Sequence, residues 1–492
     1  MIPYASESKV GATRRARTGS LRNVFGTLLL VAIPAAALIL ALVCFRAGPA
    51  PTLTLETRPA ALGPKTRVVA TAEAGGRGLA GLRLSVTQGT TVRPLAQKAL
   101  VARPAWAFWG PRETRVGFEL EVGREALVGL QAGDATVRLT ADRATAWLWS
   151  PGPVVKEITV PLRLRPPTLE RLSTHNAAVQ GGAGVVVYRV GGGSSRDGVA
   201  AGEWWFPGHP LPGGGDRDRF ALYGIPFDLT DRAAVRLVVE DDVGNRNEAA
   251  FLDRFTTKPF ATDALAIHDE FLAKVVPEIL AHAPDLKADA DPLQSFLAIN
   301  RGLRRSNADT LKKLALASAP KFLWSRRFEA LPRAKVMSAF ADRRSYTYRG
   351  RPVDQQTHLG FDLAATRNTK VPAANSGVVA LAQYLGIYGN AVVVDHGLGL
   401  MSLYGHLASV DVAKGQSVAR GDVLGRTGAT GLAGGDHLHF TMLIQGLPVN
   451  PTEWWDAHWI RDHVARPLGP AIPFAEPDPG PLKRPERPKK TR

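Results

Sequence analysis

His358-Leu359-Gly360-Phe361-Asp362 sets an imidazole and a carboxylate four residues apart, and His437-Leu438-His439-Phe440 sets two imidazoles two apart. His406 lies between them, in Leu403-Tyr404-Gly405-His406-Leu407. Side chains on a β-strand return to the same face every second residue. A strand reading therefore puts His358, Gly360 and Asp362 on one face, with Gly360 leaving room between its neighbours. The same reading turns His437 and His439 to one side, and Leu438 and Phe440 to the other. Two such strands side by side bring imidazole, carboxylate and imidazole to a common point.

Nitrogen and oxygen donors without cysteine suit Zn²⁺, and a catalytic zinc uses three protein ligands and leaves one position to water. Four histidines and one aspartate exceed three places, so the surplus histidines are candidates for proton transfer and polarisation. The spacing does not separate His437 from His439. His396, which with Asp395 closes the apolar run Val392-Val393-Val394, reads as a strand-end residue outside the metal set.

From about Met337 to Trp455 the chain resembles the lysostaphin-type (LytM-type) zinc metallopeptidases, which cut peptide bonds in bacterial peptidoglycan. The resemblance runs through THLGFDLAA, VPAANSGVV, YGNAVVVDHG, SLYGHLASVDVAKGQSVARGDVLGRTGATG and DHLHF, and covers about a quarter of the chain. It implies that His358, Asp362 and His439 hold Zn²⁺ and that His406 and His437 are catalytic. It implies an antiparallel β domain with the metal in an open groove. Two positions depart from the family pattern: Gly435-Asp436 stands where Gly-Pro is common, and Thr441 where a glutamate often follows. The implied mechanism is a zinc-activated water, with His437 as general base and His406 bonding the water or the oxyanion.

The N-terminus suggests how such a domain is delivered. Lys9, Arg14, Arg15, Arg17 and Arg22 precede an uncharged apolar run from Val24 to Phe45. About 20 apolar residues span a bilayer as a helix. Signal-peptide cores are shorter and end in a small-x-small site, which the LVCFR ending lacks. The expectation is a cytoplasmic tail over 1–22, a single transmembrane anchor over 23–45, and the bulk of the chain in the periplasm of a double-membraned cell. Cys44 is the only cysteine, so no intramolecular disulfide staples the exported part.

Between anchor and peptidase, short alternating runs broken by Gly and Pro predict β-sandwich-like structure over 51–166, with Leu82, Leu84 and Val86 as one inward face. A second, immunoglobulin-like β module is expected over 168–257, with Trp204 and Trp205 in its core. From Thr262 the period changes: Ile267, Phe271, Val275 and Ile279 recur every fourth residue, predicting a helical connector over 260–335. Residues 467–492, rich in Pro, Lys and Arg, are expected to be disordered.

The net charge is +17. No nucleic-acid motif accompanies it, so anionic wall polymers or phospholipid headgroups are the expected partners. The fold class is thus mainly β and multidomain: an N-terminal transmembrane helix, two β-sandwich-like modules, a helical connector and a C-terminal antiparallel β metallopeptidase domain. The expected function is a membrane-anchored zinc endopeptidase acting on peptidoglycan cross-links, alongside wall-division or regulatory proteins. The alternative is a non-hydrolytic wall-binding protein that controls another hydrolase.

Overall fold

Alternation does in the structure what it predicts in the sequence. On the strand Leu79–Gln88, Leu82, Leu84 and Val86 are buried while Arg83 faces solvent. This computed structural model describes residues 18–45, 48–107, 109–146 and 150–476, with side chains of the first helix only over 26–41. Two compact units result, one of residues 1–165 with 243–245, the other of 166–242 with 246–492.

The first unit stacks an antiparallel three-stranded sheet (Thr52–Arg58, Thr66–Glu73, Arg115–Val122) on a four-stranded one. The second sheet runs Thr91–Ala99, Leu79–Gln88, Gly133–Arg143, Val154–Leu162. Their inner faces share one core that includes Leu55, Val68, Leu84, Val137 and Leu162.

The helix α1, Thr18–Phe45, precedes these sheets and contains Pro34. Among the described residues no helix is long and apolar enough to cross a membrane, so the spanning helix expected over 23–45 is not found there. Residues 1–17 of the expected cytoplasmic tail, and the side chain of Cys44, lie outside the described residues.

The second unit holds the other β segment, the connector and the C-terminal domain around one continuous hydrophobic cluster. That cluster joins Val185, Tyr188 and Phe220 to Phe361, Phe440 and Trp454. Trp204 and Trp205 are only half-buried; Lys312 Nζ sits 4.5 Å above the Trp204 ring and the Arg196 guanidinium 4.0 Å above that of Trp205.

The connector is not wholly helical. Residues Thr262–Ile267 form a strand that pairs in parallel with Asp342–Tyr348. Helix α2 begins only at Asp269 and runs to Ala281, burying Leu272, Val275, Val276 and Ile279. The four-residue period that starts at Ile267 carries across this junction because Ile267, the last strand residue, is also buried. Helix α3, Pro292–Ala298, starts with Pro292 in its first turn and the Asp291 side chain accepting from Leu293 N–H at 2.9 Å, two standard start signals. Helix α4 spans Arg304–Ala315.

The C-terminal sheet has ten strands, whose main path runs Lys335–Ser338, Phe361–Ala364, Leu438–Ile444, Leu400–Val410, Asn390–Asp395, Gly377–Tyr384, Ser417–Val418. Beside it lies the three-stranded sheet of Thr262–Ile267, Asp342–Tyr348 and Arg351–His358. The tail expected to be disordered from 467 is ordered to 476, because its apolar residues find the core: Leu468 and Ile472 are buried, and Ala475 N–H donates to Ser325 C=O at 2.7 Å. Residues 477–492 lie outside the described residues.

Candidate active site

His358 and Asp362 do not share a strand. His358 ends Arg351–His358 in the smaller sheet, while Asp362 lies on Phe361–Ala364 in the larger one. The chain crosses between sheets at Leu359 and Gly360. Asp362 then pairs directly across from His439 on Leu438–Ile444. Gly360 makes the crossing possible, because a Cβ there would lie 2.6 Å from the His439 ring and from Thr441 Oγ1.

Three acceptor atoms converge at this point. His358 Nε2 is 3.0 Å from Asp362 Oδ1 and 3.1 Å from His439 Nδ1, and His439 Nδ1 is 3.0 Å from Asp362 Oδ1. The other ring nitrogens fix the tautomers. His358 Nδ1 faces Ala339 C=O at 3.0 Å, so it must carry the proton. Thr441 Oγ1 donates to Leu359 C=O at 3.0 Å and therefore accepts from His439 Nε2–H at 2.9 Å. Both rings thus turn a lone pair toward the Asp362 oxygen, which is acceptor-only when ionised. Three lone pairs this close repel unless a proton or a cation lies among them. Two imidazole nitrogens and a carboxylate oxygen form a donor set suited to zinc, and outer partners that fix ring tautomers are typical of metal-holding histidines. His358, Asp362 and His439, all buried, are the group among the described residues that could hold a metal ion.

His406 and His437 stand beside this trio. Their ring centroids are 4.8 Å apart, and the His406 ring is 5.7 Å from that of His439. His437 Nε2 lies 3.5 Å from Asp362 Oδ1, and its Nδ1–H donates to Gly435 C=O at 2.8 Å. His406 Nδ1–H donates to Thr430 C=O at 2.8 Å. His406 sits on Leu400–Val410 with a left-handed φ of 61°, where the pairing with Asn390–Asp395 shifts register between Tyr404 and Leu407. Such irregularities re-aim a side chain. All five residues line one cavity of about 550 Å³.

Burial would raise the Asp362 carboxyl, but the surrounding imidazoles, His358 foremost and then His437 and His439, favour the carboxylate and hold it well below the usual range. Burial, then the neighbouring His437 and His439 charges, push His406 well below an ordinary histidine. Burial brings His439 down to about 4 against the pull of Asp362. For His437 burial works downward, yet the Asp362 hydrogen bond and charge win and raise it.

Sequence reasoning missed Arg344, whose Nη2 holds the outer oxygen of Asp362 at 2.5 Å. Its place on Asp342–Tyr348 depends on strand pairing that no spacing reveals. Of the departures, Thr441 orients His439 as above, and Asp436 accepts from Thr427 Oγ1 at 2.6 Å. Tyr388 lines the cavity, whereas Tyr404 is core. His396 is remote from the trio: fully buried, its ring bonds Ser376 C=O and Ser402 Oγ, both at 2.8 Å.

Residues 356–451 match Peptidase family M23. The chain is 41% identical over 108 residues to the DD-carboxypeptidase/endopeptidase Mpg of Neisseria meningitidis, covering 22% of this chain and 25% of the relative. It is 37% identical over 118 residues to the peptidoglycan DD-endopeptidase ShyA of Vibrio cholerae, covering 24% and 26%. It is also 41% identical over 95 residues to the murein hydrolase activator EnvC of Escherichia coli, covering 19% and 23%. The chain thus spans about a quarter of the length of the curated relatives it matches. Residues 356–451 of this chain are a Peptidase family M23 domain of the LytM type.

Proposed function

We propose that the chain is a zinc-dependent endopeptidase that hydrolyses the peptide cross-links of peptidoglycan. One observation carries the reading: the lone pairs of His358 Nε2, Asp362 Oδ1 and His439 Nδ1 converge inside a cavity that His406 and His437 also line. The similarity to proteins named DD-endopeptidases supports the substrate class.

His358, Asp362 and His439 would hold the ion. Bound zinc supplies a Lewis acid and lowers the pKa of its water from about 15.7 to about 7. His437, its Nδ1–H committed to Gly435 C=O, offers Nε2 as the base that takes the water proton and returns it to the leaving nitrogen. His406, neutral and with Nδ1–H committed to Thr430 C=O, can only accept at Nε2. It therefore orients the attacking water rather than donating to an oxyanion. Arg344 keeps the outer oxygen of Asp362 occupied, which leaves Oδ1 toward the trio.

The likeness to an activator raises the alternative of a non-hydrolytic regulator. The complete trio and both neighbouring histidines favour the enzyme. The test incubates the full chain, with bound zinc quantified, with peptidoglycan sacculi beside a His437→Ala variant. New amino termini at the cross-links, read by mass spectrometry, are expected for the native chain. The variant should keep its zinc and cleave about 10²–10⁴-fold more slowly. A zinc-loaded native chain that releases nothing would sink the enzyme reading in favour of the regulator.

We place the chain at the cytoplasmic membrane with its bulk in the periplasm, on the basic flank and apolar run of residues 9–45. Alkaline carbonate washing should leave it in the membrane pellet. Release into the wash would rule out the anchor.

A further inference from the structure

Leu432, Ala433 and Gly434 wall one side of the cavity, and the connector holds their segment from behind. Glu278 on α2 reaches across: Oε1 accepts from Gly431 N–H at 2.8 Å and from Tyr384 O–H at 3.2 Å. Lys274, four residues earlier on the same helix face, donates Nζ–H to Ala433 C=O at 3.0 Å. Leu432 packs against the cluster that contains Val275, Val276 and Ile279. Gly431 fits with φ 71°, where a Cβ would come 2.3 Å from Gly389 N. One residue earlier, Thr430 C=O accepts the His406 Nδ1 proton. Glu278 and His406 therefore grip adjacent residues of one short segment.

We propose that Glu278 is a positioning residue for catalysis. It fixes the Thr430–Gly431 peptide so that the Thr430 carbonyl holds His406 in the Nδ1–H tautomer, with Nε2 open to the cavity. This rests on the peptidase reading above and carries the working site outside the family match at 356–451, into the connector. The dependence is physical. His406 occupies a left-handed backbone conformation, which a non-glycine residue keeps only where its surroundings hold it. A catalytic group misplaced by about 1 Å loses about 10²-fold in rate.

The experiment compares Glu278→Ala and Glu278→Gln in the full, zinc-loaded chain. Glutamine keeps an oxygen for Gly431 N–H; alanine removes it. Alanine should lower kcat about 10–100-fold with KM within about 2-fold and zinc content unchanged, and glutamine should restore kcat to within about 3-fold. Hydrogen exchange over 428–437 should quicken in the alanine variant alone. The ¹⁵N shifts of the His406 ring should leave the Nδ1–H pattern in that variant alone. Unchanged kcat in Glu278→Ala overturns the proposal. So does a loss of zinc or of global stability that glutamine fails to rescue, since that marks a merely structural role. If the native chain itself does not cleave, the peptidase reading fails. The positioning claim is then decided by the His406 shifts, and identical shifts in all three proteins overturn it.

Discussion

Replacing Asp362 by alanine should remove stoichiometric zinc and, with it, hydrolysis. Asp362 is the anionic member of the trio, and its Oδ1 faces both ring lone pairs at 3.0 Å. Without it a dication meets two neutral imidazoles in a buried site, where missing charge compensation is felt most. Metal assistance is worth several kcal/mol, and each 1.36 kcal/mol is tenfold in rate, so cleavage should fall by at least about 10³-fold. Two readouts are needed, because Arg344 also loses its carboxylate partner while its side chain is only 20% exposed. A lower melting temperature with metal retained would mean that Asp362 serves Arg344 and the fold. Zinc bound at one per chain in the variant would remove Asp362 from the ligand set.

The second large effect should come from a single methyl group. Gly360→Ala would place a Cβ 2.6 Å from His439 Cε1, His439 Nε2 and Thr441 Oγ1, closer than real Cβ contacts run. None of these atoms is free to move. His439 Nε2 and Thr441 Oγ1 bond each other at 2.9 Å, and Thr441 Oγ1 is tied to Leu359 C=O. Overpacking of this kind costs about 1–3 kcal/mol, and any relief must swing the His439 ring off its lone-pair direction. The expected outcome is a stably folded protein with zinc affinity reduced by about 10–100-fold or more, the range seen when outer partners of a ligand are disturbed. Chelator competition measures it, with thermal melting as control. Native affinity in Gly360→Ala would mean that the crossing between sheets relaxes without moving His439.

Which parts of this site a reader of the sequence could foresee follows from how each contact is made. The pair His437 and His439 obeys strand alternation: His439 is on the strand, Leu438 and Phe440 are buried on the opposite side, and Asp362 sits across from His439 as two adjacent strands require. The need for glycine at 360 was legible too, though its cause differs. It is not the middle of one strand but the gap between two sheets, through which the His439 ring approaches the backbone. Spacing of four was therefore right about proximity and wrong about route. Arg344, Thr430 and Glu278 were illegible because each acts through register between segments far apart in sequence, as when Glu278 reaches Gly431. The connector misled for a related reason. Ile267, Phe271, Val275 and Ile279 keep one period while the backbone changes from strand to helix at His268.

The strand Thr262–Ile267 has a consequence for anyone who would cut the chain at the start of the family-like region. It covers one side of Asp342–Tyr348 along six consecutive residue pairs. Beginning the chain at 337 would strip that cover and leave a row of unpaired amides and carbonyls beside the strand that ends in His358. Open edges of this sort recruit any available strand, including that of a second molecule. The strand Thr262–Ile267, some 70 residues before the family-like region, thus acts as that region's guard against sticking to itself, and its shortest well-behaved version should begin before Thr262.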